Sequence, residues 1–180
     1  MFLSTPDQLS LLAVLAAPVL LAIIIYFTRP GLRRLLGALA GGLVFIVLNT
    51  AWDIAAHYAG WWHFPFTTDT HAPLLFYVVQ DLPWGVGGTL IGWRITRRFG
   101  IRGLLIFLVL LSVLGSMRDF ANAASAHLIV FGTGIVPVLA DWSCWATLFL
   151  LAQLTLRVIA GPASADQLAS WSLHLGKPAK

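Results

Sequence analysis

Residues 49–66, NTAWDIAAHYAGWWHFPF, close a long apolar run and decide how the chain is read. Asn49, Asp53 and His57 recur every four residues, which places them on one face of a helix. The chain then turns aromatic, with Trp61, Trp62, Phe64 and Phe66 around His63. Polar groups on one face of an otherwise lipid-like helix predict a polar pocket opposite them. The aromatics that follow predict a cap over that pocket and a belt at the membrane surface.

Outward from this stretch the composition stays apolar. Of 180 residues 59% are hydrophobic and 10% charged, where soluble domains carry about 25% charged, and the mean hydropathy is +0.87. An integral membrane protein is expected. Apolar runs near the ~20 residues that cross the hydrocarbon core fall at 9–27, 36–58, 73–93, 104–126 and 139–160. The predicted fold is all-α, a polytopic bundle of five transmembrane helices forming one domain over 1–160. A cytoplasmic tail follows over 161–180, with Trp171 as a surface anchor.

The basic residues set the orientation. Arg29, Arg33, Arg34, Arg94, Arg97, Arg98, Arg102, Lys177 and Lys180 all fall in alternate connections or the tail, and Arg157 in the last turn of the final run, on the same side. The N-terminus and the connections 59–72 and 127–138 contain no Lys or Arg. The positive-inside rule then predicts an outside N-terminus and a cytoplasmic C-terminus, in a bacterial inner membrane. The pI of about 9.8 reflects this loop bias and contact with anionic lipid, and does not imply nucleic-acid binding. The opening MFLSTPDQ lacks the basic n-region of a cleaved signal, so the first helix is expected to stay. The single Cys144 rules out an internal disulfide and reads as a packing residue.

There is no glutamate, and of seven aspartates Asp53, Asp81, Asp119 and Asp141 fall within the spans. Counted at ~1.5 Å per residue from the helix ends, all four belong to the outer half of the bilayer. A carboxylate in hydrocarbon costs about 2.5–3.5 kcal/mol even on insertion scales, so each should face the interior. Arg118, the only basic residue in the outer half of a span, is the expected ion-pair partner. Asn49, Tyr77, Gln80, Asn122 and His127 add hydrogen-bonding groups at the same level. One arginine cannot neutralise four carboxylates, so at least one should hold a proton and be able to donate it.

Pro83, two residues after Asp81, predicts a kink beside that carboxylate. Gly37 with Gly41 and Gly88 with Gly92 are small-xxx-small pairs that predict close helix packing. Trp52, Trp84, Trp142 and Trp145 lie within four residues of the aspartates, and their π faces could shield a carbocation.

Asp53, an aromatic connection, Pro73, Asp81 and Trp84 form one carboxylate-bearing helix pair; Asp119, HLIVFGTG, Pro137, Asp141 and Trp145 form a second with different spacing. The first pair resembles the heterodimeric-type lycopene cyclases. Trp52-Asp53, Trp61-Trp62 and PLLFYVVQD from Pro73 to Asp81 follow that family's order of a Trp-Asp helix, a tryptophan connection and a proline-led carboxylate helix. Leu74 and Leu75 stand where that family has adjacent glutamates. NTAWD, Asn49 to Asp53, is also similar to the Asn-x-x-Trp-acid motif of the membrane meroterpenoid cyclases. The likeness covers residues 45–95 best and 115–150 more faintly.

That resemblance implies proton-initiated cyclisation of a membrane-dissolved terpenoid or carotenoid, without metal or cofactor. Asp53 or Asp81 would serve as acid and Asp119 or Asp141 as base or relay. Asn49, Trp52, His57, Trp62, Tyr77, Trp84, Arg118, Asn122, Trp142 and Trp145 would bind the substrate. The partners implied are a hydrophobic isoprenoid and membrane lipid, with room for a homo-oligomer. The residues alone also fit a proton-coupled transporter or channel subunit, since intramembrane Asp, Arg and His build proton relays. They fit a non-catalytic lipid-binding protein too. A metal enzyme built on Asp53, His57, His63 and His71 would lack any HExxH signature.

Overall fold

A computed structural model describes residues 6–125 and 128–163. His127, Trp171, Lys177, Lys180 and the tail beyond residue 163 lie outside the described residues. The fold is helical: α1 (Pro6–Thr28), α2 (Leu32–Ala59), α3 (Leu74–Ser125) and α4 (Ile135–Ala160). Two-residue strands β1 (Trp62–His63) and β2 (Val130–Phe131) are the other regular elements among the described residues. α2, α3 and α4 are each long and apolar enough to cross a membrane. Their outward surface is that of a lipid-facing bundle, with Val47, Ile106, Leu105 and Val158 all exposed.

Where the sequence predicts separate third and fourth spans, the chain forms one element of 52 residues, about 78 Å of helix if it were straight. It reverses at Gly100, whose φ of 67° and ψ of −159° leave the helical region. The segments 74–99 and 101–125 fold back on each other. A methyl placed on Gly88 would meet Leu111 at 3.0 Å, and one on Gly92 would meet Phe107 at 3.2 Å. Both pairs sum to 199, the register of an antiparallel hairpin turning at residues 99–100. Arg118 and Asp81, also summing to 199, are thereby brought opposite each other.

The expected Pro83 kink takes a different form. Pro83 lies inside α3, and the backbone dihedrals stay helical there and leave the helix only at Gly100. Its ring nitrogen cannot donate to the Val79 carbonyl one turn back.

Glycines set how closely the helices approach. A methyl on Gly41 would lie 2.8 Å from the Ala152 carbonyl oxygen, and one on Gly37 3.3 Å from that of Leu156, so this pair seats α2 against α4. Gly85 abuts Gly42 Cα, joining α2 to the first arm of α3. Below the middle of the bundle, Phe45, Leu108, Leu111, Leu148 and Phe149 interlock into an apolar floor. At the inner end Arg34 donates to the carbonyls of Gly161 (2.5 Å) and Pro162 (2.9 Å), and Arg33 donates to that of Ile159 (2.8 Å). These bonds satisfy carbonyls at the end of α4 that have no partner within the helix.

Candidate functional site

The aspartate-bearing end, called outer after the orientation expected from the sequence, is built differently. Asp53 lies six residues before the end of α2, Asp81 seven after the start of α3, Asp119 six before its end and Asp141 six after the start of α4. Each carboxylate is therefore about 10 Å inside its helix end. The antiparallel arrangement brings all four to one level. They line a single cavity of about 370 Å³, with Asn49, Gln80, Arg118, Asn122, Cys144 and Trp145 among the other lining residues. That volume lies toward the small end of ligand pockets, about 300–1,000 Å³.

Each carboxylate has its own setting. Asp53 is buried, and its two oxygens accept from Trp62 Nε1 (2.9 Å) and Tyr77 Oη (2.7 Å). Tyr77 Oη in turn accepts the Ala72 backbone N–H at 3.1 Å, which tethers the connection before α3. Asp81 is 1% exposed; its Oδ2 accepts from Asn49 Nδ2 at 2.8 Å, and its Oδ1 lies 3.7 Å from Arg118 Nη2. Asp119 Oδ1 accepts from Arg118 Nε (3.1 Å) and Nη2 (3.0 Å), and its Oδ2 accepts from Trp145 Nε1 (2.8 Å). Asp141 is 3% exposed and stands beside Ser116, yet neither Asp141 Oδ2 nor Ser116 Oγ completes a hydrogen bond of ordinary geometry. Asp81 Oδ1 and Arg118 Nη1 are likewise buried without a hydrogen-bond partner among the described residues. Buried polar atoms are normally satisfied, so convergent orphans around a cavity are the mark of a place where water or a ligand completes them.

Arg118 is fixed on two sides. Its guanidinium carbon lies 4.7 Å from the centroid of Trp145 and 5.5 Å from that of Trp84, while Asp119 holds its nitrogens. The π faces of Trp84 and Trp145 thus serve the arginine. Glycine at 115 makes this possible, because a methyl there would overlap the Trp145 ring.

The outer connections close the site. β1 and β2 pair antiparallel, Trp62 with Phe131 and His63 with Val130, and the Gly132 N–H donates to the Trp61 carbonyl at 2.8 Å. Trp62 is 3% exposed, its ring against Phe131 and its N–H on Asp53. The aromatic connection is therefore a cap wired to a carboxylate. Phe64 and Phe76 complete that wall.

Several expected contributors stand elsewhere. His57 does not share the polar face with Asn49 and Asp53: it is exposed, and Ala56 takes the inward position. Four-residue steps advance about 40° each, so by His57 the face has rotated about 80° from Asn49. Trp142 is 40% exposed and points away from the cavity. Trp52 and Trp84 are partly buried in the packing behind the site, and Trp52 Nε1 has no partner among the described residues. Tyr77 supports Asp53 from behind the wall. His63 is exposed and the His71 ring bonds the Ala72 carbonyl at 2.7 Å, so neither histidine joins Asp53. Among the described residues no three of His, Cys, Asp and Glu converge as metal ligands.

Ser116 and Cys144 were not singled out as site residues from the sequence. Each is three residues, one helical turn, from an intramembrane aspartate, which is the signal that could have found them. Cys144 Sγ lies 3.5 Å from Asn49 Oδ1, linking α4 to the Asp81 network. No protein-family model, curated protein or solved structure matches this chain.

Proposed function

We propose that the protein is a five-span enzyme of a bacterial inner membrane that cyclises a membrane-dissolved isoprenoid by proton transfer, without a cofactor. On this reading α1, α2, the two arms of α3 and α4 each cross once, with the N-terminus outside and the C-terminus in the cytoplasm. The arginines at Arg94, Arg97, Arg98 and Arg102, around the α3 reversal, support that orientation.

The observation that carries the chemistry is the convergence of four aspartates on one cavity with a single guanidinium among them. Burying several uncompensated anions costs several kcal/mol each, so the surplus is relieved by protons held in the site. A protonated carboxyl would add its proton to an alkene or epoxide, and a neighbouring carboxylate would remove one from the cyclised cation. Trp62, Phe64 and Phe76 supply the aromatic wall that can face such a cation, Trp84 and Trp145 being engaged with Arg118. The cavity is of a size for the reacting end of an isoprenoid, whose remaining chain would stay in lipid.

A transporter would draw on the same carboxylates. The apolar floor of Phe45, Leu108, Leu111, Leu148 and Phe149 beneath them favours an enzyme that opens on one side only. The test is product analysis, by chromatography and mass spectrometry, in cells supplying linear prenyl or carotenoid substrates. A product of unchanged mass and shifted retention is expected from wild type and lost on Asp→Asn substitution in the site. Absence of conversion across a broad substrate panel, with the protein folded and inserted, would overturn the reading.

A further inference from the structure

Within the proton-transfer reading above, the four carboxyls have unequal surroundings, and the differences sort them into roles. Asp53 presents both oxygens to donors. Trp62 Nε1 can only donate. Tyr77 Oη already receives the Ala72 N–H, so its own proton is directed to Asp53. Two acceptor oxygens describe a carboxylate. Asp119 is held by two guanidinium nitrogens and an indole N–H, again as a carboxylate. Asp81 accepts from Asn49 and faces the same guanidinium at 3.7 Å.

Asp141 has none of these. No cation pairs with it among the described residues; the residue lines the cavity, and its buried Oδ2 lacks a donor. Its neighbours are Ser116, Arg118 and Asp119 on the second arm of α3, Asp53 on α2 and, one turn along α4, Cys144. Arg118 pairs with Asp119, which leaves no uncommitted cation in the cavity to offset a charge on buried Asp141.

We propose that Asp141 is the proton donor of this cavity and that Asp53 is the base, the reverse of the order expected from the sequence. In the forward step the Asp141 O–H bond breaks and a C–H bond forms on the alkene, leaving Asp141 as carboxylate and the substrate as a carbocation. Ring closure moves the charge. Asp53 then takes a proton from the carbon next to it, and those C–H electrons become the new double bond. Return of that proton from Asp53 to Asp141 across the cavity resets the site, and the product has the substrate's formula. Ser116 is a positioning residue that orients the Asp141 hydroxyl.

Infrared difference spectroscopy on the full chain in lipid vesicles at neutral pH tests this without any substrate. The carbonyl stretch of a protonated carboxyl is expected in wild type, lost in Asp141→Asn and retained in Asp53→Asn. Ser116→Ala is expected to shift that band without removing it, which places it at Asp141 even if Asp141→Asn fails to fold. Absence of the band in wild type, its survival in Asp141→Asn, its loss in Asp53→Asn or its indifference to Ser116→Ala would each overturn the assignment. Because the band needs no turnover, failure of the cyclase reading would leave this result standing, and the reverse also holds.

Discussion

The outer and inner halves of the bundle use the same helices for opposite ends. The inner half is closed by glycines at the crossings and by interlocked Phe and Leu, so its helices touch nearly backbone to backbone. The outer half holds its helices apart around carboxyls and a guanidinium flanked by two indoles. A site of uncompensated charge is costly to bury, and the tight inner packing supplies the stability that the outer half spends. Substitutions should therefore have different signatures in the two halves.

The largest effect is expected from Arg118→Met. It removes the counter-charge of Asp119 and the neighbour of Asp81 while leaving their burial intact, which typically costs about 3–5 kcal/mol. Reversible unfolding in detergent or bicelles would measure it, and combining Arg118→Met with Asp119→Asn should recover part of the loss. Next is Gly41→Val, which drives a side chain into the Ala152 carbonyl; overpacking of this kind costs about 1–3 kcal/mol, and the atom it meets is backbone that cannot step aside. Its cost should appear in stability and leave the carboxyl infrared band in place. Tyr77→Phe removes a donor from buried Asp53, a loss of about 1.5–3 kcal/mol for a hydrogen bond to a charged group. It should also loosen the outer cap, seen as faster proteolysis in the connection 60–73. The smallest effect is expected from Leu105→Ala on the outward face, within about 0.5 kcal/mol by the same unfolding measurement.

Much of the outer site was legible because helix geometry converts counting into depth. Four aspartates in the same half of their apolar runs, with Arg118 the one basic residue in that half, are enough to foresee a shared region, and the helix bounds then bring them to one level. Which face each residue occupies was less legible. His57 follows Asp53 at the same interval by which Asp53 follows Asn49, but accumulated rotation carries it outside. The use of Trp84 and Trp145 as a clamp on Arg118 depends on three helices meeting, which no local pattern encodes. The β1–β2 ladder is two residues long and has no periodicity to read. The reversal of α3 rests on Gly100 alone, where positive φ is free only to glycine.

If the proposed function holds, acid–base chemistry belongs to the outer half and the inner half only supports it. The most direct test compares isoprenoid conversion by Asp141→Asn and Gln153→Leu at matched levels of folded protein. Gln153 is a buried polar side chain of the inner half, donating to the Thr89 carbonyl at 2.8 Å. Conversion is expected to fall at least about a hundredfold in Asp141→Asn, the scale of a lost general acid, and to persist in Gln153→Leu. Equal loss in both variants, or full conversion by Asp141→Asn, would contradict it.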